Sequence, residues 1–94
     1  MKKKTTKSSG NVFVDLGFDP AEAAVLQMRA KLMGDLRSYV EKNKLTQVEA
    51  AKRLGIAQSR VSDLVRGKWE KFGLEMLITL EARIGRTVRV ELAA

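Results

Sequence analysis

The 94 residues include neither cysteine nor histidine. Without cysteine there is no disulfide framework and no thiolate zinc site, which fits a reducing cytoplasm. With both residues missing, the usual general bases, strong nucleophiles and transition-metal ligands are gone, and only carboxylates, lysines and hydroxyls remain for chemistry. The chain is therefore not expected to be an enzyme or to hold a metal or cofactor. Long apolar runs are also lacking: the longest are a few residues, far short of the roughly 18 to 20 that cross a bilayer. Lys2, Lys3 and Lys4 imitate the start of a signal peptide, but Thr5 to Gly10 is polar where the apolar segment should follow. A cytoplasmic location with no membrane contact is expected.

What is present is one modest core's worth of apolar residues, 45% of the chain, and a net charge of +7. A chain of this size without metal or disulfide often shares its core with a partner subunit. Lys2, Lys3, Lys4 and Lys7 crowd into the first nine residues, and the remainder carries a balance of only +3. A basic excess favours polyanions such as nucleic acid, and equally describes a solvated surface. Residues 1–10 have no apolar residue after Met1 and cannot repay the entropy of ordering, so they are expected to form a disordered basic tail. Residues 11–94 are expected to form a single domain.

Asn11 to Phe18 reads either as a short strand or as an irregular lead-in that lays Phe13 and Phe18 on the core. Asp19 before Pro20 is a helix start, because the carboxylate accepts from free backbone N–H groups and proline fits the first helical position. Val25, Met28, Leu32, Leu36, Tyr39 and Val40 keep helical spacing to about Lys42. Gly34 in the middle implies either a break or a close crossing by another backbone. Thr46-Gln47-Val48-Glu49 is a capping box opening a helix to Leu54. Gly55 supplies the turn, a further helix follows from about Gln58 to Val65, and Gly67 ends it. Leu74 to Ile84 gives a fourth long segment with a wide apolar surface, stopped by Gly85. Thr87 to Leu92 alternates polar and apolar residues and reads as a strand. Its partner is either Asn11 to Val14 or, as favoured here, the same strand of a second subunit across a two-fold axis.

Within Gln47 to Leu64 each constrained position has a geometric reason. Ala51 is small at the helix crossing, Gly55 turns the chain, Ile56 plugs the turn, and Leu54, Val61 and Leu64 face inward. That leaves Gln58, Ser59, Ser62, Asp63 and Arg66 on the outward face of the second helix, with Arg60 to one side. Short polar groups at the helix start suit base edges, and the cations beyond suit phosphates. Residues 46–66 are therefore read as a helix-turn-helix that binds double-stranded DNA. Gln58 has the donor and acceptor to bond adenine N6 and N7 together, and Ser59 suits more than one base. Asp63 either accepts from cytosine N4 or repels other bases. Arg60, Arg66 and Lys68 are phosphate candidates, with Lys52 and Arg53 as weaker ones. Trp69 and Phe72 either stack on a base or, as favoured here, pack on the core.

Five groups of residues recur together here: Leu45-Thr46-Gln47, Ala50-Ala51, Leu54-Gly55-Ile56, Gln58-Ser59-Arg60-Val61-Ser62 and Arg66-Gly67-Lys68. In this combination and spacing the chain resembles the Xre or phage-repressor class of regulators over about residues 36–84. Asn11-Val12-Phe13, Asp15-Leu16-Gly17, Phe72, Leu74-Glu75 and Leu77 are similar to a narrower group of HigA-like antitoxins, many of them encoded beside a RelE-type toxin. The fold implied is all-α and lambda-repressor-like, of about four helices, with the short carboxy-terminal strand paired across a dimer. The resemblance implies that Gln47 bonds a phosphate and braces Gln58. It also implies a dimeric repressor on a two-fold-symmetric operator, or alternatively a module that neutralises a RelE-type toxin. Gly73 departs from the pattern, standing where many relatives cap the next helix with Ser or Thr.

Overall fold

In the computed structural model, which describes residues 11–93, five α-helices and one 3₁₀ turn follow each other in the order α1 Val12–Asp15, α2 Pro20–Lys42, α3 Gln47–Leu54, α4 Gln58–Val65, the turn Trp69–Lys71, and α5 Leu74–Arg83. The basic tail expected over residues 1–10 lies outside the described residues. No helix is long and apolar enough to cross a membrane among the described residues.

Local chemistry accounts for the boundaries. Asp19 accepts from the backbone N–H groups of Ala21 and Glu22, with Pro20 in the first helical position. At α3 the Thr46 hydroxyl accepts from the Glu49 N–H at 3.1 Å while Glu49 Oε1 accepts from the Thr46 N–H at 2.8 Å. Those bonds hold the Glu49 carboxyl below its ordinary pKa. Gly55 ends α3 at φ +70°, in the left-handed region that glycine enters without steric cost. The α5 start on Gly73 has no side-chain cap.

The core forms where α2, α3, α4, α5 and the loop after α4 meet. Met33, Leu36, Leu54, Leu64, Phe72, Leu77 and Leu80 make its main cluster, and Val40, Ala50 and Val61 a second one under the helix-turn-helix. Phe72 is fully buried, and Trp69 lies partly buried with its ring edge-on to Phe13, centroids 6.3 Å apart.

Four sequence expectations are corrected. The segment after Gly10 is neither strand nor irregular: Asn11 caps a single helical turn by accepting from the Phe13 N–H. Its amide also donates to Ala23 O at 3.0 Å, tying α1 to α2. The strand expected over residues 87–92 is absent among the described residues, which run without ladder pairing there. A strand needs a partner, and the in-chain candidate has coiled into α1. On α2 the buried stripe is Ala23, Leu26, Met33, Leu36 and Val40, whereas Val25 and Met28 are 40% and 55% exposed. Packing of α1 selects the Ala23 and Leu26 side of the amino-terminal half. Gly34 is neither a break nor a close crossing: the helix runs through it, and a Cβ there would meet nothing within 4 Å. At the crossing of α3 and α4, Ala51 is half-buried against the cluster of Val40, Ala50 and Val61, beside the fully buried Ala50.

Candidate nucleic-acid interface

Eight residues, Gln58 to Val65, make α4, and its two sides have different work. Val61 and Leu64 are wholly buried and fix the helix against the core. With that face anchored, Gln58, Ser59 and Arg66 are exposed and Ser62 is half-buried. Gln58 and Ser59 occupy the first two positions after Ala57, which offers no side-chain cap to the free N–H groups there. Arg66 closes the helix at its far end. Gln47 stands exposed as the first residue of α3, the helix that crosses before α4. The structure contains no hydrogen bond between Gln47 and Gln58.

Two candidate residues on α4 turn away from this face. Arg60 is half-buried; its Nη1 donates to Lys71 O at 2.9 Å, and its guanidinium lies 5.5 Å from the centre of the Phe72 ring. Asp63, with its side chain 19% exposed, faces Lys68 Nζ at 3.9 Å and Lys71 Nζ at 3.8 Å. The Lys68 backbone N–H also donates to Asp63 O at 3.0 Å. Arg60 and Asp63 are three residues apart and share one side of α4. Together they clasp the loop carrying Lys68 and Lys71. Lys52 and Arg53 are exposed at the end of α3, with Arg53 Nη1 donating to the Tyr39 hydroxyl at 3.1 Å.

Sequence reasoning missed three cations around this face. Lys71 has its side chain 51% exposed beside Lys68, and the Lys68-to-Lys71 spacing was the available signal. Arg37 brings its guanidinium to the turn at Gly67, 3.5 Å from where a Cβ would be. Arg83, from α5, donates Nη1 to Leu54 O and Gly55 O. The last two act across distant parts of the chain and leave no local trace in the sequence.

A family model described as a helix-turn-helix domain matches residues 12–93. A solved structure described as a "Putative XRE Family Transcriptional Regulator" superposes with a TM-score of 0.72 at 33% identity, covering 78% of this chain and 82% of that one. No curated protein matches the chain.

Proposed function

The chain belongs to the helix-turn-helix domain family as an Xre-type regulator, and from that premise we propose that it is a sequence-specific repressor which binds double-stranded DNA as a homodimer. One observation carries the reading: α4 buries Val61 and Leu64 completely while presenting Gln58, Ser59, Ser62 and Arg66 on its other side. In this reading α4 enters the major groove, Gln58 bonds adenine N6 and N7, and Ser59 and Ser62 contact neighbouring base edges. Gln47 and Arg66 hold phosphates that set the register, and Lys68 adds a further phosphate contact. Occupancy of the promoter blocks transcription, with no cofactor and no bond chemistry.

Support for the homodimer comes from the carboxy terminus. Val90 and Leu92 are 80% and 92% exposed, and with Val88 they border an open apolar groove floored by Met28, Leu32, Leu74 and Ile78. Pairing of residues 87–92 with the same segment of a second copy would satisfy their backbone groups and cover that groove. Two recognition helices would then meet half-sites about one helical turn, roughly 34 Å, apart. Selection of bound duplexes from a random pool tests this directly. The reading expects a two-fold-symmetric motif with that spacing, and an asymmetric or absent motif contradicts it.

A second role, neutralising a RelE-type toxin, is supported by the exposed apolar side chains of Val12, Leu16, Val25 and Met28 on α1, its following turn and the first half of α2. Co-purification with the product of an adjacent toxin-like reading frame tests it.

A further inference from the structure

Asp63 is the one carboxylate on α4, and it lies close to two cations of the loop behind the helix. Both ion pairs are loose, at 3.9 and 3.8 Å, and both lysine side chains keep substantial exposure, 42% for Lys68 and 51% for Lys71. Asp63 is itself mostly buried, but the ammonium ends of both pairs are solvated and the contacts long, so the lysines can exchange this anion for another. Arg60 holds the loop by an independent route, through Lys71 O and the Phe72 ring. The lysine side chains are thus free to move while the loop backbone stays in place. A carboxylate facing two ammonium groups beside a nucleic-acid surface competes with phosphate for them.

We infer that Asp63 acts as a specificity-determining counter-charge, which keeps Lys68 and Lys71 from random DNA and yields them to phosphates only when α4 is fully seated on its preferred sequence. The inference rests on the DNA-binding reading above and adds a role for Asp63 that requires no contact with a base. On random duplex α4 stays out of the groove and the phosphates sit too far away to displace Asp63. On a preferred site the fit of α4 brings the backbone to the loop, and the lysines exchange one anion for another.

The test compares the full-length wild type with Asp63→Asn and Asp63→Glu on two probes, the best duplex from the random-pool selection and a scrambled duplex of equal composition, over a salt series. For Asp63→Asn the expected result is binding to scrambled duplex tighter by about 3-fold to 10-fold, with a salt slope steeper by about one phosphate contact. Affinity for the selected duplex changes less, so the specificity ratio falls. Asp63→Glu, which keeps the charge, restores the ratio. Adding Lys68→Ala and Lys71→Ala to Asp63→Asn returns scrambled-duplex binding to the wild-type level.

Other outcomes overturn the inference in distinguishable ways. A loss by Asp63→Asn on the selected duplex alone, with scrambled binding unchanged, makes Asp63 a base reader. A parallel loss on both probes, accompanied by a lower melting temperature, makes it a structural clasp only. No change on either probe removes it from DNA binding altogether. Failure of the wild type itself to discriminate the two duplexes refutes the parent reading and takes this inference with it.

Discussion

Arg83 of α5 reaches back to the end of α3 and donates Nη1 to Leu54 O at 2.9 Å and to Gly55 O at 3.2 Å. The last carbonyls of a helix have no partner within it, and a cation there also meets the negative end of the helix dipole. The last helix of the chain thereby fixes the turn that aims α4, and the relationship generates a test. Arg83→Ala should cost about 1 kcal/mol, less than the roughly 1.5 to 3 kcal/mol of hydrogen bonds to charged groups, because the side chain is exposed. Gly55→Ala should cost at least as much, since its φ of +70° disfavours any Cβ and the new atom would lie 3.0 Å from Arg83 Nη1. Urea denaturation of both single variants and the double variant checks this. The double variant should lose less than the sum, because removing Arg83 also removes that tight contact.

Gly34 offers the opposite effect. It lies in the middle of α2, exposed, with nothing within 4 Å of an added Cβ. Gly34→Ala should therefore stabilise the protein by about 1 kcal/mol, the propensity difference in a helix interior. Thermal melting reads this as a higher midpoint, with DNA binding unchanged.

Stability should also depend on pH through Glu81. Its side chain is 2% exposed on α5, and as a carboxylate neither oxygen has a hydrogen-bond donor. Burial, reinforced by the Asp35 carboxyl, pushes Glu81 up from its ordinary 4.5 to about 7. Asp35 is lowered by the hydrogen bond from Glu81 and by its ion pair with Arg86. The Asp35 charge and the burial of Glu81 both favour a proton on Glu81. The folded state keeps that proton where the unfolded chain has lost it, so its stabilisation is full below 4.5 and declines as pH rises to about 7. Asp35 contributes in the opposite sense, with stability present above its ordinary 3.8 and lost as pH falls below that. Glu81→Gln supplies a permanent donor to Asp35 and should flatten the decline between about pH 5 and pH 7.5 while raising stability at pH 8. Urea midpoints across that range, falling equally in both proteins, would show that another group is responsible.

On the DNA-facing side of α4, the assigned roles predict two different losses. Gln58→Ala should cost about 1 to 3 kcal/mol on the selected duplex and little on scrambled DNA, whereas Arg66→Ala should weaken both alike and reduce the salt slope by about one. Fluorescence anisotropy on the two duplexes separates these patterns. Equal behaviour of the two variants would contradict the division into base and phosphate contacts.

Much of this architecture could be read from the chain because it is written in local chemistry. Asp19 and Pro20, the Thr46 and Glu49 box, and the positive φ of Gly55 act within a turn or two, so α2, α3 and the sharp turn were legible. What failed depended on distant partners. The buried side of α2 near Val25 and Met28 is decided by α1, which docks through Asn11 onto Ala23. Residues 87–92 alternate as a strand does, but alternation cannot supply the second strand. Gln58, Ser59 and Arg66 were legible as exposed positions because Val61 and Leu64 fix the helix phase. Arg60 and Asp63 share the same eight residues yet turn to Lys71, Phe72 and Lys68, since a side chain near the edge of the outward face is oriented by the loop that packs beside it.

The central claim is that α4 reads sequence. The most direct measurement is a titration of the wild-type protein against the fluorescent selected duplex and its scrambled counterpart at two salt concentrations. The account predicts discrimination of at least about 10³, and affinity that falls steeply with salt. Equal, weak binding to both duplexes would contradict it.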